Sequence, residues 1–465
     1  MKKKAFIFNT NKCVGCMACV VGCTIENETE TPLNWRVVNG HNHIKHPDLP
    51  VFHFSMACNH CDDAPCMKHC PALAYTRDEK TGAIIHHAEA CIACTYCTWA
   101  CPYDAPKYNE TTKIIEKCNF CVDRISEGKK PTCAEVCPTG ALDFGFQEEV
   151  DVNNHITPGF VNVGIKPSIQ LIPLRKEHTK PEIVNIDATE INSDYLENFS
   201  PKSLSKIHLK KEWTLVLFTL AVAGLVAWQA SGVTNNVFVS LLGFISMAIL
   251  AIVLTSFHVG KKLRMWRFIL NLKGSWLSRE IASFSAFFGL GVFTILMREN
   301  IFEINNLIPS EINNIFGYLT IFFGVFTLVS IDMVYSLLIR KDNLKLHSAM
   351  VCLTGILLYG WLINTIVLIY LITVIKTVLY VWRKRSLFKQ KMIYFPIISL
   401  IRILALIIPL FGLYIMPEIS KWILIPIVFI GEIIDRSEFY YESDVKTPKG
   451  ALTELFSETL IKRSK

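Results

Sequence analysis

The chain has 465 residues with 17 cysteines, 51% apolar and 19% charged residues, at a mean hydropathy of +0.34. This is too apolar for an ordinary soluble enzyme and not apolar enough for a protein embedded throughout, so the average covers two unlike parts. Residues 1–205 hold 20 Lys and Arg against 25 Asp and Glu, and the remainder 27 against 15. The net +7 therefore comes from basic residues beside apolar segments, which excludes a nucleic-acid binder.

The start, Met1-Lys2-Lys3-Lys4, is followed by only four apolar residues, Ala5–Phe8. A secretory signal needs about 7–15, and no twin arginine is present. The expectation is a protein that is not exported, so its cysteines are not a disulfide framework. Residues 5–150 alternate short strand-like runs, Ala5–Phe8 and Ala83–His87, with cysteine loops. Residues 148–211 are polar and broken by Pro158, Pro167, Pro173, Pro181 and Pro201. The expected boundaries are a cysteine-rich domain over 1–150, its tail and a linker over 151–211, a membrane domain over 212–440 and a polar cytoplasmic tail over 441–465.

From Trp213 the pattern changes to apolar runs near 213–232, 237–257, 281–297, 315–339, 346–363, 365–382, 395–416 and 419–435. Several reach the roughly 20 residues that span a bilayer. The stretch 346–382 reads either as one long helix or as a tight hairpin around Gly360–Thr365. Loop charges arbitrate. With eight spans, Lys210 and Lys211, the Lys261–Arg279 group, Arg340–Lys345 and Arg383–Lys391 all fall on the side of the N-terminal domain, and only Arg298 and Lys421 fall opposite. The positive-inside rule then places both termini in the cytoplasm.

Sixteen of the cysteines fall into four groups. Cys13, Cys16, Cys19 and Cys23 read C-x2-C-x2-C-x3-C, as do Cys91, Cys94, Cys97 and Cys101, followed by Pro102. Cys58, Cys61, Cys66 and Cys70 read C-x2-C-x4-C-x3-C with Pro71, and Cys118, Cys121, Cys133 and Cys137 read C-x2-C-x11-C-x3-C with Pro138. Two-residue gaps let a loop wrap three corners of a cubane, and the fourth cysteine ligates the other cluster of a pair. Structural zinc also uses paired C-x2-C, but not three cysteines at these gaps with x3-C-P after them. Four 4Fe–4S clusters are expected.

Cys58-Asn59-His60-Cys61-Asp62-Asp63, Ala100-Cys101-Pro102-Tyr103-Asp104-Ala105-Pro106-Lys107-Tyr108, Glu127-Gly128-Lys129-Lys130-Pro131 and Gly140-Ala141-Leu142-Asp143-Phe144-Gly145 resemble the electron-transfer subunit of the dimethyl sulfoxide reductase family. The resemblance covers about residues 4–180. It implies the cluster sets Cys13/Cys16/Cys19/Cys137, Cys23/Cys118/Cys121/Cys133, Cys58/Cys61/Cys66/Cys101 and Cys70/Cys91/Cys94/Cys97. A nitrate reductase branch has tryptophan where Cys94 stands, so four irons are expected there rather than three. Residues 208–442 resemble the same family's membrane anchor, through His258-Val259-Gly260-Lys261, Ser275-Trp276-Leu277-Ser278-Arg279-Glu280-Ile281, Gly431-Glu432, Arg436 and Phe439-Tyr440. Lys261-Lys262 departs from the commoner Arg-Pro of that loop.

The resemblance implies menaquinol oxidation without haem, with His258 and Glu280 at the quinol. The implied partner is a separate molybdopterin-containing catalytic subunit, with membrane lipid and quinol as the other contacts. A histidine accepting a proton and a glutamate passing it on suits a reaction that releases two protons and two electrons. The expected fold is α+β: a double ferredoxin-like four-cluster domain followed by an all-α membrane bundle of about eight helices. The expected location is the cytoplasmic membrane, with the cluster domain on the cytoplasmic side. Three other readings stay open: the quinone-reducing arm of a dehydrogenase, a cluster-bearing hub without quinone chemistry, and a transporter using Asp332, Lys376 and Arg402. Those three residues and Glu432 also fit bundle pairing. His41, His43 and His46 read as loop residues rather than metal ligands, and Cys352 as an apolar core residue.

Overall fold

The computed structural model describes residues 3–30, 32–41, 51–147, 160, 163–172, 207, 209–232, 237–298, 310–336, 346–389, 395–415, 421–443 and 447–452. His43, His46 and most of the 151–211 stretch lie outside the described residues. The protein divides into two compact units, Met1–Lys206 with Val445–Lys465, and Ile207–Asp444.

In the first unit, strand β1 (Lys4–Asn9) is central to a three-stranded sheet. It pairs antiparallel with β8 (Leu142–Phe146) and parallel with β9 (Ile169–Ile172). Phe6 and Phe8 share one face of β1, as residues two apart in a strand must. Phe6 meets Phe120 and Phe144 edge-on at 5.1 and 5.7 Å, and Phe8 meets Phe54 at 5.6 Å. Three hairpins complete the strands: β2 (Val37–His41) with β3 (Phe52–Met56), β4 (Tyr75–Arg77) with β5 (Ile84–His86), and β6 (Lys107–Asn109) with β7 (Ile114–Glu116). Five helices of four to nine residues, α1 (Ala18–Glu26), α2 (Pro65–Lys68), α3 (Tyr96–Ala100), α4 (Val122–Ser126) and α5 (Thr132–Glu135), carry or follow the cysteine loops.

The second unit contains eight α-helices among the described residues: α6 (Leu209–Ser231), α7 (Val237–Ser256), α8 (Trp276–Arg298), α9 (Ser310–Tyr335), α10 (Val351–Ile363), α11 (Ile366–Lys389), α12 (Pro396–Ile415) and α13 (Lys421–Glu442). Five of them, α6, α8, α9, α11 and α12, are long and apolar enough to cross a membrane; the apolar parts of α7 and α10 are shorter. Leu242, Leu250, Phe322, Leu371, Val374 and Phe411 leave a third or more of their surface exposed, as lipid-facing side chains do. The 346–382 stretch is a hairpin. Asn364 adopts φ 56° and closes α10 through its own N–H to the Gly360 carbonyl, the left-handed C-cap that asparagine tolerates. The buried core between α10, α11, α12 and α13 is Leu357, Trp361, Ile369, Ile372, Leu406, Leu424 and Val428.

Candidate functional site

The cysteines gather into four sets that mix distant parts of the sequence. Cys13, Cys16, Cys19 and Cys137 line one pocket. Cys58, Cys61, Cys66 and Cys101 line a second, and Cys70, Cys91, Cys94 and Cys97 a third. Cys23, Cys118, Cys121 and Cys133 lie within electrostatic reach of one another. Cys352 stands apart in the second unit, its backbone N–H bonded to Asp332.

The loops share one conformation. The residue two positions after the first cysteine of each group has positive φ: Gly15 (71°), His60 (42°), Ala93 (57°) and Phe120 (70°). Only Gly15 is glycine, and a Cβ there would stand 2.7 Å from the His53 ring. For Ala93 and Phe120 this conformation is strained, and it turns the local amides inward. Ala93 N–H donates to Cys91 Sγ at 3.3 Å and Phe120 N–H to Cys118 Sγ at 3.4 Å. Ala74 N–H and Leu142 N–H do the same to Cys70 and Cys137. Backbone N–H groups aimed at sulfur supply the hydrogen bonds that iron–sulfur sites use.

In three of the sets, four cysteines drawn from the groups line one pocket, as the corners of a cubane require. Burial pushes the Cys23 thiol up to about 12. It also raises Cys61, Cys66, Cys94, Cys97 and Cys118, with neighbouring cysteines adding to the rise. Thiolates so placed are stable only against positive charge, which iron supplies. When bound, the clusters supply one-electron carriers.

In the second unit, helix polarity brings the titratable groups to one end of the bundle. His258 follows the C-terminus of α7, and its Nδ1 stands 3.3 Å from Oε2 of Glu212 in the first turn of α6. Both are largely buried, and burial alone lowers the His258 pKa to about 4, so the imidazole is neutral at pH 7. Glu280, in the second turn of α8, is buried within electrostatic reach of Arg436 and Asp332. Tyr335, at the end of α9, hydrogen-bonds the Tyr440 hydroxyl and lies within electrostatic reach of Glu280, Glu212 and Arg436. Arg436 stacks over the Tyr335 ring at 4.7 Å and donates to the Ala349 carbonyl at 2.8 Å. Tyr335 thus lies within electrostatic reach both of Glu280 and of Glu212, the ion-pair partner of His258. The structure adds Glu212 and Tyr335, which no sequence motif marks.

The charges inside the spans have structural partners. Asp332 caps α10 from a neighbouring helix, accepting from Val351 N–H at 2.8 Å and Cys352 N–H at 3.0 Å. Lys376 pairs with Glu432 at 2.9 Å, and Arg402 with Glu432 at 2.7 Å and Asp435 at 3.1 Å. Arg383, Lys384, Glu438 and Glu442 extend this buried network along α11 and α13. His41 stacks on Phe52 at 4.5 Å.

Residues 49–147 match the family described as 4Fe-4S dicluster domain, and residues 210–382 match the DMSO reductase anchor subunit (DmsC). One of the component chains of the anaerobic dimethyl sulfoxide reductase of Escherichia coli (strain K12) is 34% identical over 206 residues, covering 42% of this sequence and 95% of that one. The thiosulfate reductase electron transfer subunit of Salmonella typhi is 36% identical over 157 residues, 32% of this sequence and 79% of the relative. With a subunit of the tetrathionate reductase of Salmonella typhimurium the identity is 37% over 143 residues, 30% and 57% of the two sequences.

Proposed function

Because the protein belongs to the family of dimethyl sulfoxide reductase iron–sulfur subunits, joined here to the family's anchor domain, we propose that it oxidises menaquinol and delivers the electrons through four 4Fe–4S clusters to a separate molybdopterin-containing catalytic subunit. Membership itself makes it an iron–sulfur electron-transfer subunit fused to the membrane anchor of a reductase complex. The observation that carries the finer reading is the buried His258–Glu212 pair.

Quinol oxidation needs a base out of bulk water and a place for the positive charge that the base acquires. His258 is neutral at pH 7, with Nδ1 toward Glu212, which makes Nε2 the ring atom for a quinol hydroxyl. Nδ1 faces the Glu212 carboxyl group, which orients the ring while Nε2 takes the proton. Glu280, beside Tyr335, is placed to receive the second proton. The cysteine sets supply the route for electrons. A cluster unit on the cytoplasmic side and eight membrane crossings complete the proposed arrangement.

The test is purification of the intact complex in mild detergent, with metal analysis and stopped-flow reduction by menaquinol. A co-purifying molybdenum or tungsten subunit and quinol-driven cluster bleaching that fails in His258→Ala are expected. Unchanged bleaching in that variant would remove His258 from the chemistry. A protein that purifies without a large metal-containing partner would remove the proposed complex.

A further inference from the structure

Two cations are buried in the cysteine-rich unit without a carboxylate partner among the described residues. Arg36 is 2% exposed and lies 4.5 Å from the Phe6 ring. Its Nη1 donates to Ser55 Oγ at 3.1 Å, and that oxygen is 3.5 Å from Cys19 Sγ. Its Nε and Nη2 are buried and find no acceptor among the described residues. The largest electrostatic neighbours of its guanidinium are sulfurs from two cysteine sets: Cys19 of one, and Cys23, Cys118 and Cys133 of the other. Lys117 is 3% exposed. Its Nζ donates to the carbonyls of Cys118, at 2.8 Å, and Ile84, and it lines the cavity of Cys58, Cys61, Cys66 and Cys101. The Cys70/Cys91/Cys94/Cys97 cavity is lined by no lysine or arginine among the described residues.

Burying an unpaired guanidinium is costly unless negative charge meets it. Four thiolates around an oxidised 4Fe–4S core carry a net charge of about −2, and one added electron makes it about −3. A fixed cation nearby favours the more negative state. We propose that Arg36 and Lys117 set the electron affinity of the clusters that they adjoin, Arg36 for the Cys13/Cys16/Cys19/Cys137 and Cys23/Cys118/Cys121/Cys133 sets and Lys117 for the Cys58/Cys61/Cys66/Cys101 set. The Cys70/Cys91/Cys94/Cys97 set has no such aid, so electrons are drawn away from it toward the sets that hold a cation. This rests on the reading that all four sets hold 4Fe–4S clusters.

The experiment is an electron paramagnetic resonance redox titration of the full-length protein in membranes, with dithionite as electron donor and ferricyanide as acceptor, alongside iron determination. Wild-type iron content short of four cubanes defeats the cluster reading itself, independently of the variants. With four present, Arg36→Met is expected to lower two potentials by about 59 mV or more, a tenfold change for one electron, and to leave the other two in place. Lys117→Met is expected to lower a different one. Arg36→Lys, which keeps the charge, should retain near-native potentials. Four unmoved potentials in Arg36→Met, or a fall in Arg36→Lys as large as in Arg36→Met, would overturn the proposal. Should Arg36→Met lose clusters, Lys117→Met decides: a fall confined to the Cys58/Cys61/Cys66/Cys101 cluster supports the assignment, and no movement there overturns it.

Discussion

Oε2 of Glu212 and Nδ1 of His258 stand 3.3 Å apart, at the start of one helix of the second unit and just past the end of the next. Glu212 comes from the Lys210-Lys211-Glu212 entry to α6, yet the residue is only 4% exposed. If the pair accepts the quinol proton, Glu212→Gln keeps the shape and removes the carboxyl group that orients the imidazole. Menaquinol-driven cluster reduction should then fall about 100-fold, the lower range for loss of acid–base assistance. Reduction by dithionite, which bypasses the quinol, should not change. Equal slowing with both donors would place the defect in the clusters or the fold.

The same histidine gives the anchor a pH-dependent stability. Burial takes its pKa from 6.5 down to about 4, so between those values the unfolded state holds more protons than the folded one. Stability attributable to His258 is therefore complete above pH 6.5 and is lost as pH falls toward 4. One pKa unit corresponds to about 1.4 kcal/mol, which bounds the loss at about 3 kcal/mol. Thermal melts in detergent across this window should slope less in His258→Gln than in wild type. Parallel slopes would mean that other groups carry the whole dependence.

The difference between what is legible in the sequence and what is not follows from how far apart the partners lie. The cysteine groups repeat at short spacing because one loop must wrap one cluster, and a linear reading finds them. Their sharing of Cys137 or Cys101 with a distant group depends on tertiary closure, and comes from resemblance. The apolar runs are legible as helices, and within 346–382 the loop charges favour a hairpin, whose turn the left-handed Asn364 makes. Glu212 escapes notice because a glutamate after two lysines reads as a solvated helix start. Glu432, Asp435 and Glu438 are ambiguous for a related reason. Their partners Lys376, Arg402 and Lys384 lie 30 to 56 positions away on other helices, beyond any periodicity.

Iron should be needed to hold the first unit together. Cys66 and Cys118 are buried with pKa values raised well above 9, so their thiols favour the neutral form until a metal replaces the proton. Chelation under reducing conditions should open the cysteine loops, with rapid proteolysis near Cys91–Cys101, while the helical signal of the anchor persists. Cys137→Ser should remove the cluster held with Cys13, and Cys133→Ser the one held with Cys23, each detectable as the loss of a distinct spectral component. Loss of the same component in both variants would break the pairing.

The buried charges of α11, α12 and α13 form one network, and that makes a quantitative prediction. Glu432 faces both Lys376 and Arg402, and the helices approach closely because position 431 is glycine. A Cβ there would stand 2.7 Å from Arg402 Nη1 and 2.9 Å from Ala405 Cβ. Removing one partner of a buried pair strands the other charge at about 3–5 kcal/mol, whereas removing both with apolar residues of similar volume is close to neutral. Glu432→Met should therefore destabilise the anchor by about that amount, and Glu432→Met with Lys376→Met by distinctly less, because only Arg402 then lacks the carboxylate and it keeps Asp435. Gly431→Ala should cost about 1–3 kcal/mol through overpacking, with the ion pairs chemically intact. Unfolding in graded denaturant gives the cycle. If the two methionine substitutions simply add, Lys376 and Glu432 are not energetically coupled, and the short distance between them contributes nothing to the bundle.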